Sequence, residues 1–585
     1  MPRYAVQVAH FLEADVQPWV AALAAALFPE APSPAAEPTD APQFSALQIS
    51  PEAHPTCGQD AWRCLDELAP LGDTAAAVLR AWRLPLLQQL PLTPARWQPA
   101  VIRSHTVTGA LRLDCAEAAA CCDAMHAVQE VQALTLYMPR GGEAYSYKRA
   151  DIKLHADEQQ RVCAALAALP ALRSLTLSSK LLPGGACVAS VAPALSRLSG
   201  LEALTLAFPD HGVNAAALAQ PLCHLTTLTL LDLTEGGIGD DGAAALAPAL
   251  SCLSQLMHLR LKESSLQGPG AAALAAPLCD LTALTALDLA SNEIMDDGAE
   301  ALAPALGCLL RLAALSLYYC EIDVAGCTAL APQLSLLTML KALHLEGNHL
   351  GEAGAAALAP ALRRLVSLEH LGLCRCELGA AGTATLLGSS LSHLTSLTTL
   401  DLEHNQLGES GAQALVPGMG HLSQLACLSL GACEIGSAGA AALAVPLCRL
   451  TRLTMIDLGG NGIYDDGAAA LAPAFSCLSR LQDLRLPGNM LGAAGAAALA
   501  PALRHLSALT FLNLNYVGMQ AAGAEVLAPA LTRLSKLVVL YLSGNAIGDV
   551  GAAELAKTLA VLTELKRLDL DDNGASDDGW SDASF

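Results

Sequence analysis

Aromatic side chains are scarce: Phe, Tyr and Trp make up 4% of the 585 residues. A core built on rings is therefore excluded, and the interior must be aliphatic, mostly leucine and alanine. Charge is scarce as well, at 15% against 53% hydrophobic residues, which excludes a disordered, charge-rich chain. Basic residues are the scarcer sign, 32 Lys and Arg against 55 Asp and Glu, for a formal net charge of −23. Nucleic-acid affinity rests on basic side chains displacing counterions from phosphates, so no nucleic-acid partner is expected and a basic protein is the better match. No uninterrupted apolar run is long enough to cross a bilayer, so no membrane partner is expected either. The first segment, "MPRYAVQVAHFLEADVQPW", carries Glu13 and Asp15 ahead of its apolar run, unlike a signal or transit peptide. A cytoplasmic, monomeric protein is the resulting expectation.

Catalytic signatures are missing too. There is no G-x4-G-K-[ST] phosphate loop, no G-x-S-x-G elbow, no H-E-x-x-H and no kinase signature set. The chain is read as non-enzymatic, with no catalytic residues, no cofactor and no metal. Nineteen cysteines are present, an odd number, and they are read as reduced thiols. Neither Cys121 with Cys122 nor Cys374 with Cys376 has the C-x2-C…C-x2-C grouping of a zinc site.

What is abundant is one sentence repeated. The template L-x-x-L-x-L-x-x-N-x-L occurs fifteen times, with first leucines from Leu172 and Leu201 to Leu537 and Leu565, almost always 28 residues apart. Weaker copies stand at "VQALTLY" from Val131 and at "TGALRLD". Within a copy, "LTALDLAS" alternates like a half-buried strand, whereas "GAEALAPALGCL" spaces its leucines like a helix. Strand and crossover helix in endless succession require a parallel sheet. Strands pair at about 4.8 Å whereas helices pack at roughly 8–10 Å, so the stack must curve with strands inside. The predicted fold is an α/β, right-handed horseshoe solenoid spanning residues 126–573. Residues 1–125, with a Pro/Ala-rich stretch at 28–42, are expected to form a mostly helical cap or accessory region, and 574–585 an acidic tail.

These repeats resemble the leucine-rich-repeat superfamily, and within it the ribonuclease-inhibitor-like class. The "N" position reads Asn292, Cys320, Asn348, Cys376, Asn405, Cys433, Asn461, an alternation similar to the two repeat types of that class. Such an amide or thiol can satisfy backbone groups where the chain turns out of its strand, so Cys320, Cys376 and Cys433 are structural. Cys223, Cys252, Cys279, Cys308, Cys448 and Cys477 recur at helix ends and are read as core packing. Bridging thiols on neighbouring turns is expected to strain the stack, so that oxidation destabilises it. Asp240, Asp296 and Asp465, in "GDDG", "MDDG" and "YDDG", are placed to cap helix amides. The repeats also resemble those of NLR immune receptors, though no nucleotide-binding module accompanies them in this sequence.

Leucines fix the packing, so specificity can be written only on the strand positions that face inward. The expected protein-binding residues are Arg260, Lys262, Tyr318, Tyr319, His344, Glu346, His370, Arg375, Asp401, Glu403, His404, Asn513, Asn515, Tyr516 and Tyr541. Tyr and Arg are frequent at binding hot spots. The stretch between, with Ser429, Gly431, Asp457, Gly459, Arg485 and Pro487, reads as bland. His344, His370 and His404 fall on successive copies, where a metal or acid–base site would be conceivable but no nucleophile accompanies them. Two alternatives stand beside the binding scaffold. Ran GTPase-activating proteins resemble this architecture and use an arginine after an early strand, a place that Arg140 in "LTLYMPRGG" could take. A cytoskeletal or ciliary structural repeat is the other.

Overall fold

The computed structural model describes residues 110–114, 133–137, 166–167, 169, 171–178, 186–207 and 214–574. Arg140, the region before Ala110 and the acidic tail beyond Gly574 lie outside the described residues. The chain divides into two units, Met1–Arg63 and Cys64–Phe585, and the described residues all belong to the second.

Among the described residues seventeen parallel strands form one sheet, each strand between the first and the last paired with those before and after it in sequence. The fifteen copies of the template supply strands from Ser174–Ser178 to Arg567–Asp569, and the two weaker copies supply Ala110–Asp114 and Ala133–Tyr137. Register is constant, with Leu287 paired to Leu315 and Leu315 to Leu343, and Ile456 alone takes the leucine's place in Met455–Asp457. These central leucines are at most 2% exposed, and burying each contributes about 1.5–3 kcal/mol. Helices alternate with the strands from Ala186–Leu195 to Gly548–Leu559. The shortest is Gly379–Leu386, in a repeat that reads "LLGSSLSHL" where others read "LAPAL"; there the helix stops and a 3-10 turn, Leu391–His393, follows.

The Asn corner is a clamp between turns rather than a cap on its own turn. Asn348 Nδ2 donates to Leu317 O (2.7 Å) and Leu345 O (2.8 Å), while its Oδ1 accepts from Cys320 N (3.1 Å) and Ile322 N (3.0 Å). One buried amide thus satisfies three backbone groups of the preceding repeat and one of its own. The cysteines in the alternate repeats can only donate: Cys320 Sγ reaches Leu289 O (3.3 Å), and burial pushes that thiol up to about 12.

Capping also crosses between repeats, which corrects the expectation for the aspartates. Asp240 Oδ1 accepts from Gln267 N (2.8 Å) and Gly270 N (2.9 Å), and Asp296 Oδ1 from Asp323 N and Gly326 N (both 2.8 Å). Each carboxylate therefore caps the next helix, because stacking brings that helix start beside it. Asp465 lies in the first turn of its own helix.

The helix-end cysteines require a second correction. Cys448 and Cys477 are disulfide-bonded, with Cα atoms 5.4 Å apart, so these two are not reduced thiols and neighbouring turns do offer bridging geometry. A repeat of 28 puts equivalent residues on a helix-to-helix vector too long to bridge. A pair offset by one further residue escapes that limit.

Candidate functional site on the inner face of the sheet

In the three-residue strands, the middle residue enters the core and its two neighbours face inward. Strict register arranges those neighbours in two columns. The second column, from the amino-terminal side, runs Asp232, Arg260, Asp288, Ser316, His344, Gly372, Asp401, Ser429, Asp457, Arg485, Asn513, Tyr541 and Asp569. Many of its acidic members have a structural duty. Asp401 Oδ1 accepts from Glu403 N (3.1 Å), as Asp457 Oδ1 does from Gly459 N (2.8 Å), each closing the turn at its strand's end. The second oxygen of Asp457 lies 3.8 Å from Arg485 Nη1 on the next strand.

The columns sort the expected residues into three groups. At the amino-terminal side, Arg260 pairs with Asp232 (3.3 Å) and Lys262 with Glu263 (3.1 Å), exposed ion pairs of small energetic weight. At the carboxy-terminal side, Asn513 and Asn515 are occupied with backbone: Asn513 Oδ1 accepts from Asn515 N (3.0 Å) and Asn515 Oδ1 from Ser543 N (2.6 Å). Beside them runs a ladder of rings and guanidinium groups. Arg485 lies 5.0 Å over Phe511, Phe511 meets the edge of Tyr541 at 5.4 Å, and Arg567 lies 5.4 Å over Tyr541.

The central group is the densest. Tyr318 and Tyr319 are exposed, with ring centroids 4.6 Å apart. Tyr319 takes a positive φ of 50° and lays its ring over Gly347, where any Cβ would collide with the ring. Tyr516 repeats that arrangement over Gly544, so the exposed rings are seated by glycines of the following repeat. His344 Nδ1 lies 3.0 Å from Glu346 Oε1. Glu346, 9% exposed, fills the space over Gly372, and its Oε2 is enclosed with no hydrogen-bond partner among the described residues. Asp401, Glu403 and Cys374 stand next to it, with ligand atoms of those three within 4.8 Å of one another. Asp457 follows two strands on from Asp401.

Acidic groups crowd this centre and cations at its edge offset them only in part: Arg485 Nη1 lies 3.8 Å from Asp457 Oδ2, and Arg375 and Arg485 both act on Glu403. Burial pushes the carboxyls of Asp401, Glu403 and Asp457 up from their ordinary range, and mutual repulsion adds to it: Glu346 and Asp457 act on Asp401, and Asp401 and Asp457 on Glu403. His344 is pushed up by its hydrogen bond to Glu346. Burial, then the Asp401 and Glu403 charges, push the Cys374 thiol up to about 12, so at neutral pH it is protonated and a poor metal ligand. A hard cation would find its donors in the carboxylates alone.

The histidines do not converge. His344 belongs to the second column, His370 to the first, and His404 lies beyond its strand at a φ of 57°. Arg375, with a φ of 54°, stands at the equivalent exit position one repeat earlier and is exposed. Asp457, in the stretch that reads as bland, stands with the central carboxylates and Arg485 with the ring ladder, whereas Phe511 and Arg567 are not among the expected residues. Phe511 and Arg567 occupy the first column, directly before the core residue, a position as inward-facing as the one after it.

The family model for Leucine Rich repeat matches residues 224–247, 281–303, 337–359, 393–416, 450–472 and 533–556. The array is a leucine-rich-repeat solenoid. Those matches fall in six of the repeats, and the invariant register carries the same unit through the rest. An internalin from Listeria monocytogenes is a similar solved structure, at 19% identity and a TM-score of 0.33, covering 70% of this chain and 82% of its own. At that score the likeness adds nothing to what the repeats already show. No curated protein matches the chain. Leucine-rich-repeat solenoids present extended inner surfaces on which partners bind, and among the described residues no helix is long and apolar enough to cross a membrane.

Proposed function

We propose that this solenoid is a non-enzymatic protein-binding scaffold that holds a basic segment of its partner on the inner face, against Glu346, Asp401, Glu403 and Asp457, with Tyr318 and Tyr319 as apolar anchors. The observation that carries the reading is the enclosed, unpartnered Glu346 Oε2 beside carboxyls that already repel one another. A Lys or Arg side chain laid among them supplies the missing donor and relieves the repulsion. The two exposed tyrosines at the rim offer area that ordering costs little. Asp401 and Asp457 also close their turns, but the core of this region is held by the leucines and the Asn corners, which leaves Glu346, Glu403, Tyr318 and Tyr319 open to selection for a ligand.

The pH dependence has a definite sign. Asp401, Glu403 and Asp457 have raised pKa values, so the recess acquires its full negative charge only as pH climbs beyond the ordinary 3.8 of Asp and 4.5 of Glu. His344, also raised, loses its positive charge over a higher interval. Both changes strengthen binding of a basic segment as pH rises through the acid range toward neutrality. Fluorescence anisotropy with Lys- and Arg-rich peptides, at two ionic strengths, tests this. Saturable binding that weakens with salt, with acidification and with Glu346→Gln plus Glu403→Gln is the expected result. Binding unaffected by that double variant, or by Tyr318→Ala with Tyr319→Ala, overturns the inner-face site.

A further inference from the structure

Cysteines at the helix ends come in three matched pairs. In each, the first lies five residues before the first leucine of the following repeat, as in "PLCHL" and "PLCDL", and the second lies four before the next, as in "LSCL" and "LGCL". The offset makes the separation 29 rather than 28: Cys448 and Cys477, Cys279 and Cys308, Cys223 and Cys252. That one residue swings the second cysteine along its helix end toward the first, and it is what brings the two sulfurs together.

The three pairs occupy one geometry at different stages. Cys448 and Cys477 are bonded. Cys308 Sγ and Cys279 Sγ are in contact at 2.8 Å. Cys223 and Cys252 hold the same offset, and burial together with the neighbouring Cys252 side chain pushes the Cys223 thiol up. Within each pair the second sulfur sits beside the carbonyl of the internal proline one turn back, Pro248, Pro304 or Pro473, at 3.5, 3.6 and 3.5 Å. Cys223, Cys279 and Cys308 are half-buried and Cys252 is exposed, unlike the buried corner thiols of Cys320, Cys376 and Cys433.

We propose that Cys279–Cys308 and Cys223–Cys252 are dithiol modification sites that close to disulfides between neighbouring repeats, matching Cys448–Cys477, with a low-molecular-weight disulfide as oxidant. One cysteine, as its thiolate, attacks a sulfur of the small disulfide; that S–S bond breaks, a small thiolate departs and takes up a proton, and a mixed disulfide forms. The paired cysteine then loses its proton and attacks the protein-side sulfur, expelling the second small thiol. Two protein thiols are oxidised to one disulfide while one small disulfide is reduced to two thiols. The hydrogen bond from Cys308 pushes Cys279 up to about 11, so closure accelerates as pH is raised above neutrality. Each bridge would tie the end of one outer helix covalently to the end of the next.

The test begins with the full-length chain, reduced, desalted and equilibrated with oxidised glutathione. Remaining thiols are alkylated in denaturant, and the unreduced digest is mapped by mass spectrometry. Linked peptides joining Cys279 to Cys308 and Cys223 to Cys252 are expected, both members of a pair disappearing from the alkylated pool together. Cys308→Ser should then trap a stable glutathione adduct on Cys279, and Cys252→Ser one on Cys223. Circular dichroism establishes that these variants are folded. Persistent single adducts on the wild-type chain, links to other cysteines, or free thiols at both pairs after equilibration would each overturn the proposal.

Discussion

Two stretches of the solenoid turn their corners differently. From Asn292 to Asn461 amide and thiol alternate, whereas Asn461 and Asn489, and later Asn545 and Asn573, follow one another directly. Where asparagines are consecutive, the turn amides of one are taken by the next: Asn461 N and Ile463 N both donate to Asn489 Oδ1, at 3.1 and 3.0 Å. In the alternating stretch each asparagine's own turn faces a thiol, which has no such oxygen to give. The thiol is also never a sole partner. Leu289 O, Leu345 O and Leu402 O, which accept from Cys320, Cys376 and Cys433, accept as well from Asn292, Asn348 and Asn405. The amide is therefore the working clamp and the thiol fills the alternate corner, and this difference can be broken experimentally.

Asn348→Ala should have the largest effect. It strips partners from Cys320 N–H, Ile322 N–H and Leu317 C=O at once, all buried. With about 1–3 kcal/mol for each orphaned group, partly offset by relaxation, a loss of roughly 3–5 kcal/mol is expected. Native-state hydrogen exchange is the proper measurement, since a stacked array can open locally, and the loss should centre on residues 317–322. Cys376→Ala, by contrast, orphans nothing, because Leu345 O keeps its bond from Asn348 (2.8 Å). About 1 kcal/mol is expected from lost packing and one weak bond. Equal losses for the two variants would abolish the distinction between clamp and filler.

Asp240→Ala sharpens the same comparison at the outer edge. Its carboxylate, like the corner amide, serves two backbone groups of the neighbouring turn, but these lie at a solvent-accessible helix start. Removing a capping side chain costs about 0.5–2 kcal/mol, and here the faster exchange should appear in the helix Gly268–Asp280 rather than in Gly239–Leu250, which contains Asp240. Faster exchange confined to the helix that bears Asp240 would refute capping across repeats.

Much of this was legible in the leucines. Fixed period, strand alternation and helical spacing imply a parallel stack, and seventeen strands stand where template copies, strong or weak, were read. The corner residues were recognisable by type, since a buried Asn or Cys after a strand must satisfy something. Their partners were not, because Leu317 and Asn348 are 31 residues apart and meet only once the stack is built. The same reason hid the cross-repeat capping by Asp240 and Asp296. The disulfide was hidden by the period itself: thinking in steps of 28 passes over a pair separated by 29. On the inner face, the expected residues lie mostly after the core leucine rather than before it. Phe511 and Arg567 stand before it and so fall outside that set, although strand geometry treats both positions alike.

Smallest in effect, yet most diagnostic of how the repeat was assembled, is the residue that starts each helix. Gly239, Gly351, Gly408 and Gly492 adopt φ between 56° and 63° there, while Met295 holds the equivalent place at 57° with a side chain 45% exposed. A left-handed residue bearing a Cβ costs about 1–2 kcal/mol, and glycine avoids that at the expense of about 0.5–1 kcal/mol of unfolded-state entropy. Met295→Gly should therefore be stabilising by roughly 0.5 kcal/mol, read as slower exchange at the start of Met295–Cys308. The substitution leaves the inner face and both kinds of corner untouched. A destabilisation instead would mean that Met295, exposed as it is, packs against its neighbours strongly enough to outweigh its backbone strain, and the helix start would join the corners as a place where repeats grip one another through side chains.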